Sequence, residues 1–506
     1  MIFLRAANRF FILPLVFAVA TICSQSTPAQ TAPAAATSIV FSGAQVADGT
    51  GAPMRRANVR IVGDTITRVG DFKPDPSDQV VDASGLVLAP GFIDTHNHST
   101  EGLETEPLAV SQISQGLTTL LLGQDGDSPW PIGEYLDKFR KNPPALNFLM
   151  LVGHATVRSK VMGDDFRRVA RPEEVAQMEK LVEQGMKEGA VGLSSGIEYE
   201  VASYSDTAEV VATARVAGRY GGFYISHIRD EADKAFDATR ELLTIGREGH
   251  LPVQNTHIKL GTVGVQGKAG QIIKMFDDAR AQGIDVTADC YPYDAWHSNF
   301  KVLVPNKRWD DPASIARAIA DVGGPQNLLI TEVKSHPEYT GRTLQEAAKT
   351  RDITPVQLLI EIIRDGDGGV IGKSMIDSDI RIFYTWPWTM VSSDGGIGMQ
   401  HPRGAGTFPR VLGRFVREKH WLTLEEAVRK MTSLPAWRLK LADRGSIKAG
   451  MKADIVLFNP ATVIDNSTFE KPQLLSTGIE KVFVNGVLVW DGAKATGARP
   501  GRVLPK

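Results

Sequence analysis

LVLAPGFIDTHNHSTEG, residues 86–102, is an apolar run that ends in His96-Asn97-His98. The run suits a buried strand, and on a strand residues i and i+2 point to the same side. Both imidazoles can therefore converge on one point, and neutral imidazole is a common ligand for zinc and other transition metals. Two histidines at this spacing equally describe polar residues in a loop. The rest of the chain decides between the two.

Seven more apolar runs follow, separated by helical patterns: Thr118–Gln124, Leu146–His154, Ala190–Ser194, Gly222–His227, Leu251–His257, Ile284–Tyr291 and Trp388–Asp394. Between them, Pro172–Lys187 opens on proline and carries Val175, Met178, Leu181, Val182 and Met186 as one apolar stripe, which predicts an amphipathic helix. Thr423-Leu424-Glu425-Glu426 is a capping-box pattern that opens another. Eight alternating βα units predict a parallel barrel with its reactive groups at the C-terminal ends of the strands. A doubly wound sheet alternates in the same way. The barrel is favoured because strand after strand ends in a residue able to ligate or to transfer protons.

Short strand patterns fill residues Thr37–Ala83, and similar ones return in GSIKAGMKADIVLFNP and IEKVFVNGVLVWDG, where Asn485-Gly486 is a hairpin signal. The expected fold class is α/β: a (β/α)8 TIM-like barrel over 89–440, with a small β-sandwich domain built from both chain ends, 37–88 and 441–500. The spacing stretches between strands seven and eight, so residues 298–375 are expected as an insertion of loops and helices at the rim.

A chain of 506 residues exceeds what one compact core usually supports, which fits this two-part organisation. Hydrophobic content of 42% and a formal charge of −2 imply neither a nucleic-acid partner nor an anionic membrane surface. Residues 1–29 differ from the rest. Arg5 and Arg9 precede the apolar Phe10–Ala20, and small residues follow, which predicts a cleaved secretory signal and export to a bacterial periplasm. The run falls short of the roughly 20 residues a membrane span needs, so no membrane association is expected after cleavage. The two cysteines are Cys23, in the signal, and Cys290. No disulfide can form within the mature chain, and stability must come from core size.

Strand one supplies His96 and His98. Strand five ends YISHIRDE with His227, strand six ends VQNTHIKLG with His257, and strand eight ends MVSSDGG with Asp394. Any one of these could be a buried, hydrogen-bonded core residue. Five at the same end of one barrel describe a metal site with room left for water. A metal-binding protein that has lost catalysis is a competing reading, and the complete ligand set with Asp394 argues against it.

The order HxH, His, His, Asp on strands one, five, six and eight resembles the amidohydrolase superfamily of metal-dependent hydrolases. GFIDTHNH, SHIRDE and THIKLG, with HPRGAGTFPRVLGRFVRE and LTLEEAVRKMTSLPAWRL, are similar to its N-acyl-D-amino-acid deacylase (D-aminoacylase) branch. The resemblance spans about Val40 to Val489. It implies hydrolysis of a small N-acyl amino acid or dipeptide by a metal-activated water, with zinc as the expected cofactor. One or two ions are accommodated, manganese or cobalt being alternatives. Asp394 is the implied proton acceptor and later donor. A dipeptidase acting on peptides with a C-terminal D-residue, or a cyclic amide or lactone hydrolase, is the alternative.

Strand two departs from that branch. The branch typically ends this strand in Gly-Asn-Cys-Gly, with the thiolate as a metal ligand; here the stretch is Gly123-Gln124-Asp125-Gly126. Asp125 is expected to ligate in its place, and a carboxylate can bridge two ions and favours harder ones. The resemblance also implies that Lys259 and Arg403 bind the substrate carboxylate, the guanidinium fork suiting bidentate contact. Tyr199 and Tyr291 are the implied pocket walls. His154, at the end of strand three, is expected to orient a ligand from behind. Plain core aromatics and a satisfied core histidine are the competing readings for these three.

Overall fold

Each of the eight apolar runs contributes a short parallel strand to one barrel. In order these are Phe92–Asp94, Leu117–Leu122, Asn147–Met150 continued by Val152–Gly153, Gly192–Gly196, Phe223–His227, Val253–Asn255, Val286–Cys290 and Thr389–Val391. This computed structural model describes residues 38–505; the signal segment and Cys23 lie outside them. Each barrel strand pairs in parallel with the next. The third strand serves both neighbours by halves, its first part on the second strand and its last two residues on the fourth. The circle closes where Asn97 forms a parallel bridge with Gly395.

The opening stretch splits at Gly91. Val87–Pro90 pairs antiparallel with Ile455–Phe458 in the β domain, and the barrel begins only at Phe92. A Cβ at Gly91 would stand 2.2 Å from Thr118 Cγ2, so the chain passes between the two units where only glycine fits.

Eight strands from both chain ends share the other sheet, ordered from Val487–Trp490 through Ile479–Val484, Ile455–Phe458, Val87–Pro90, Ser38–Val46 and Arg55–Val62 to Thr65–Gly70, with Gln79–Asp82 also on Ser38–Val46. Phe41 and Phe483 stand three strands apart in that order, about 14 Å in a flat sheet. Their rings are 5.1 Å apart, edge to face, so the sheet curls over its own core. The hairpin at 485–486 has φ of 48° at Asn485 and 79° at Gly486, as its sequence requires. Asn485 and Asp454 also fasten this domain to the barrel. Asp454 accepts from Asn147 on the third barrel strand (3.0 Å) and pairs with Arg444, while Asn485 Nδ2 donates to Asn147 Oδ1 (2.8 Å).

The helix at Pro172–Glu188 buries Met178, Val182 and Met186, each worth about 1.5–3 kcal/mol of burial, and leaves Val175 and Leu181 half-buried. Thr423 caps the helix Leu424–Met431 by accepting from Glu426 N. Between strands seven and eight the insertion holds more than loops and helices. Ala295–Asn299, Gly369–Lys373 and Leu328–Glu332 form an antiparallel sheet of their own, and helices Pro312–Asp321 and Pro355–Arg364 of the insertion pack on each other. Among the described residues no helix is long and apolar enough to cross a membrane.

Candidate metal centre and active site

The strand ends bring His96, His98, Asp125, His227, His257 and Asp394 together. His96 Nε2 and His98 Nε2 lie 3.1 Å apart, and Asp394 Oδ1 is 3.4 and 3.2 Å from them. Asp125 faces the same point, 3.6 Å from His96 and 3.5 Å from His98, and reaches His257 Nε2 at 3.7 Å. His227 Nδ1 is 3.0 Å from His257 Nε2. These donors fall into two groups that share His257: His96, Asp125, His257 and Asp394, and His227, Glu231 and His257.

Backbone geometry marks the same residues. Asp125, His257 and Asp394 hold φ of 54°, 35° and 46°, in the left-handed region that non-glycine residues rarely occupy. Such conformations cost of order 1–3 kcal/mol each and persist where the surroundings dictate them, characteristically at functional sites. Asp289 helps dictate one of them, accepting from His257 N (2.8 Å) and from Thr256 Oγ1 (2.9 Å), the hydroxyl that also contacts His96 Nδ1. Asp94 ties strand one to strand eight, accepting from His96 N (3.2 Å), Asn97 Nδ2 (2.9 Å) and Ser393 N (3.0 Å).

The donor set fits a metal. Asp125 Oδ1 is buried and has no hydrogen-bond partner among the described residues, although three ring nitrogens surround the carboxylate. Nitrogens meant only for each other would not converge around an orphaned oxygen. The electrostatics agree. Burial pulls His98 down, but the Asp125 and Asp394 carboxylates outweigh it and hold the imidazole at about 9. Burial and Lys259 likewise lower His257, yet Asp394, Glu231 and Asp125 raise it to about 10. Asp394 is held well below the usual carboxylate range despite its burial, chiefly by Arg403 and then by His257. The centre of the set thus favours positive charge.

Two carboxylates escaped the sequence reading. Glu231, four residues after His227, lies 3.2 Å from His257 Nδ1 and 2.6 Å from Lys259 Nζ. Glu198 Oε2 meets His227 Nε2 at 2.5 Å, leaving Nδ1 for the centre. Their signal was proximity in sequence, Glu231 inside SHIRDE and Glu198 beside Tyr199, but neither sits on a strand where spacing predicts direction.

Lys259 and Arg403 are both buried at the centre, Arg403 Nη1 reaching Asp394 Oδ2 at 2.7 Å. His401 fixes this start of the helix Arg403–Arg410: its Nδ1 accepts from Arg403 N (3.0 Å) and its Nε2 donates to Ala295 O (3.2 Å). Tyr199 lines the cavity beside the centre, its hydroxyl 3.2 Å from His227 Nδ1. Two expectations need correction. Tyr291 is fully buried behind the cations, with Arg403 4.9 Å from its ring centroid, and its hydroxyl turns to Met375 rather than to the cavity. His154 touches no ligand. It opens the helix His154–Met162, and its Nε2 is 2.9 Å from Glu209 Oε1, a carboxylate shared with buried Arg158.

The sequence profile of the amidohydrolase family matches residues 79–262 and 387–490. Two proteins of Alcaligenes xylosoxydans xylosoxydans are each 36% identical: a D-aminoacylase over 493 residues, and an N-acyl-D-aspartate deacylase over 491. Both alignments cover 92% of this chain, with 97% and 94% of the relatives. The structure of an N-acyl-D-glutamate deacylase from Bordetella bronchiseptica, complexed with zinc and a phosphonate inhibitor, superposes with a TM-score of 0.84 at 32% identity, covering 93% of this chain and all of that one. With the profile covering more than half of the chain and these relatives nearly all of it, the protein is a member of the amidohydrolase family.

Proposed function

We propose that the protein hydrolyses the amide bond of N-acyl-D-amino acids, releasing a carboxylate and the free D-amino acid. The observation that carries this reading is the placement of two buried cations, Lys259 and Arg403, against the carboxylates of the donor set itself, at 2.6 Å from Glu231 and 2.7 Å from Asp394. A substrate carboxylate held there keeps its neighbouring amide at the centre. The relatives named for D-aminoacylase and D-deacylase activity support the substrate class.

His96, His98, Asp125, His227, His257 and Asp394 would hold zinc, as one ion or two, with manganese or cobalt as substitutes. When bound, the metal supplies a Lewis acid and lowers the pKa of water. The chain's own groups do the rest. Lys259 and Arg403 bind the α-carboxylate and fix which face of the amide meets the water. Asp394 accepts the proton of the attacking water and returns it to the nitrogen as the C–N bond breaks. Thr256 and Glu198 hold the outer nitrogens of His96 and His227 and so fix those ring orientations, while the outer nitrogen of His257 meets Lys259 Nζ at 2.7 Å.

The amino-terminal arginines and apolar run support export to a periplasm, where this activity would act on exported or imported D-amino-acid derivatives. Hydrolysis of N-acetyl-D-leucine but not its L-enantiomer by zinc-loaded protein is the expected result. Equal rates on both enantiomers, or none on either, would remove the assignment.

A further inference from the structure

Beyond the donor set a cavity, partly open to solvent, runs between the loop after strand five and the insertion. The insertion side is apolar: Val302, Leu303, Pro305, Ala318 and Val322. The opposite side carries carboxylates. Among the described residues the only lysine or arginine side chains lining this cavity are Lys259 and Arg403, already paired with Glu231 and Asp394 and both engaged by a substrate's α-carboxylate.

Two lining carboxylates lack a lysine or arginine partner among the described residues. Glu198 is nine-tenths buried; its Oε2 meets His227, its Oε1 accepts no hydrogen bond, and it lines this cavity and the one next to it. Asp230 Oδ1 is taken by the backbone N–H groups of Ala232 and Lys234, at 2.8 and 3.0 Å, and no side chain pairs with the carboxylate. Asp233 and Asp321, at the mouth, differ in sharing Arg317 at 2.8 and 2.6 Å. A substrate with a second carboxylate would meet no free cation here and would face Glu198. An ammonium group would find an acceptor, and an alkyl group the apolar wall.

We propose that Glu198, opposite the apolar wall of the insertion, sets the charge selectivity of this cavity: the enzyme takes N-acyl-D-amino acids with apolar or cationic side chains and rejects acidic ones. This rests on the deacylase reading above. It also separates the chain from two of its relatives, which are named for aspartate and glutamate derivatives.

The test uses zinc-loaded full-length protein with the N-acetyl derivatives of D-leucine, D-lysine and D-glutamate. Like charges set close together in an interface cost several kcal/mol, so kcat/KM for the first two should exceed that for D-glutamate by about 10²-fold or more. In Glu198→Gln the ratio of D-lysine to D-glutamate derivative should fall by about tenfold or more. Glu198 also holds His227, so absolute rates will drop, but a ratio measured on one preparation is independent of its metal content. Calorimetric binding of free D-lysine and D-glutamate to both proteins gives the same comparison without turnover. A D-glutamate derivative cleaved as fast as the D-leucine one, or a ratio unmoved in Glu198→Gln, overturns the proposal. If no substrate is hydrolysed the deacylase reading falls, and the calorimetric order still judges Glu198.

Discussion

Arg403 Nη1 lies 2.7 Å from Asp394 Oδ2, so the proposed clamp for the substrate carboxylate and the proposed proton carrier are in contact before any substrate binds. A substrate carboxylate bound as proposed must compete with Asp394 for the same guanidinium. On the proposed reading, binding and proton transfer are coupled through one side chain.

For Asp394→Asn, kcat should fall by at least ~10²-fold while most of the bound metal is kept, because the amide retains one oxygen donor but cannot take up the proton. Metal analysis alongside steady-state kinetics checks this. Near-normal kcat would remove Asp394 from proton transfer.

If Arg403 binds the substrate as proposed, Arg403→Ala leaves the carboxylate of Asp394 and that of the substrate without their shared cation. The expected loss is roughly 2–5 kcal/mol in kcat/KM for carboxylate substrates, the range for truncating one partner of a buried charge pair. A substrate whose α-carboxylate is replaced by a carboxamide should lose much less. Equal losses on both would make Arg403 purely structural.

Asp125 belongs to the first donor group, in reach of His96 and His98, and approaches the second at His257 Nε2, the atom that His227 Nδ1 also faces. Asp125→Ala should weaken metal binding at both groups, and Asp125→Cys should shift preference toward softer ions. His227→Ala should lower metal content and turnover together. Titration of metal-free protein, followed by equilibrium dialysis, reads all three; unchanged stoichiometry and affinity in Asp125→Ala would show that the aspartate is no ligand.

Lys430 gives a pH dependence away from the site. Its ammonium is wholly buried, donating to Trp386 O and to Thr389 O, and burial lowers its pKa from 10.5 to about 7. Between those values the unfolded chain binds a proton that the folded chain does not, so stability rises with pH across the window. Below about 7 both states carry the proton and the cost of burying it is fully present. Lys430→Met should flatten the rise in urea midpoint between pH 6.5 and 9.5. A slope identical to that of the parent would assign the dependence elsewhere.

The barrel was legible because each strand is an apolar run with a polar terminus, and strands of this kind announce both their span and the direction of their last side chain. Leu86–Ile93 hid its break for the same reason: both halves are buried, and the join at Gly91 is set by Thr118, a residue distant in sequence. Glu198 and Glu231 were not legible because they lie on loops, where no periodicity fixes a side chain's direction. His154 misled because it does end a strand at the right end of the barrel, yet its ring belongs to the following helix and to Glu209. The strands of the insertion carry Gly369 and Gly372 and short polar stretches, which mask alternation.

The pairing of Val87–Pro90 with Ile455–Phe458 has a consequence for how the protein is made. At ribosomal speeds of about 5–20 residues per second, roughly 20–70 s separate the emergence of the two partners. Throughout that interval a fully apolar strand keeps one open edge, the kind of surface that recruits other chains. Nascent and truncated forms should therefore be far more prone to aggregate than the finished molecule, and a helper that shields this edge during synthesis should raise the yield of soluble enzyme.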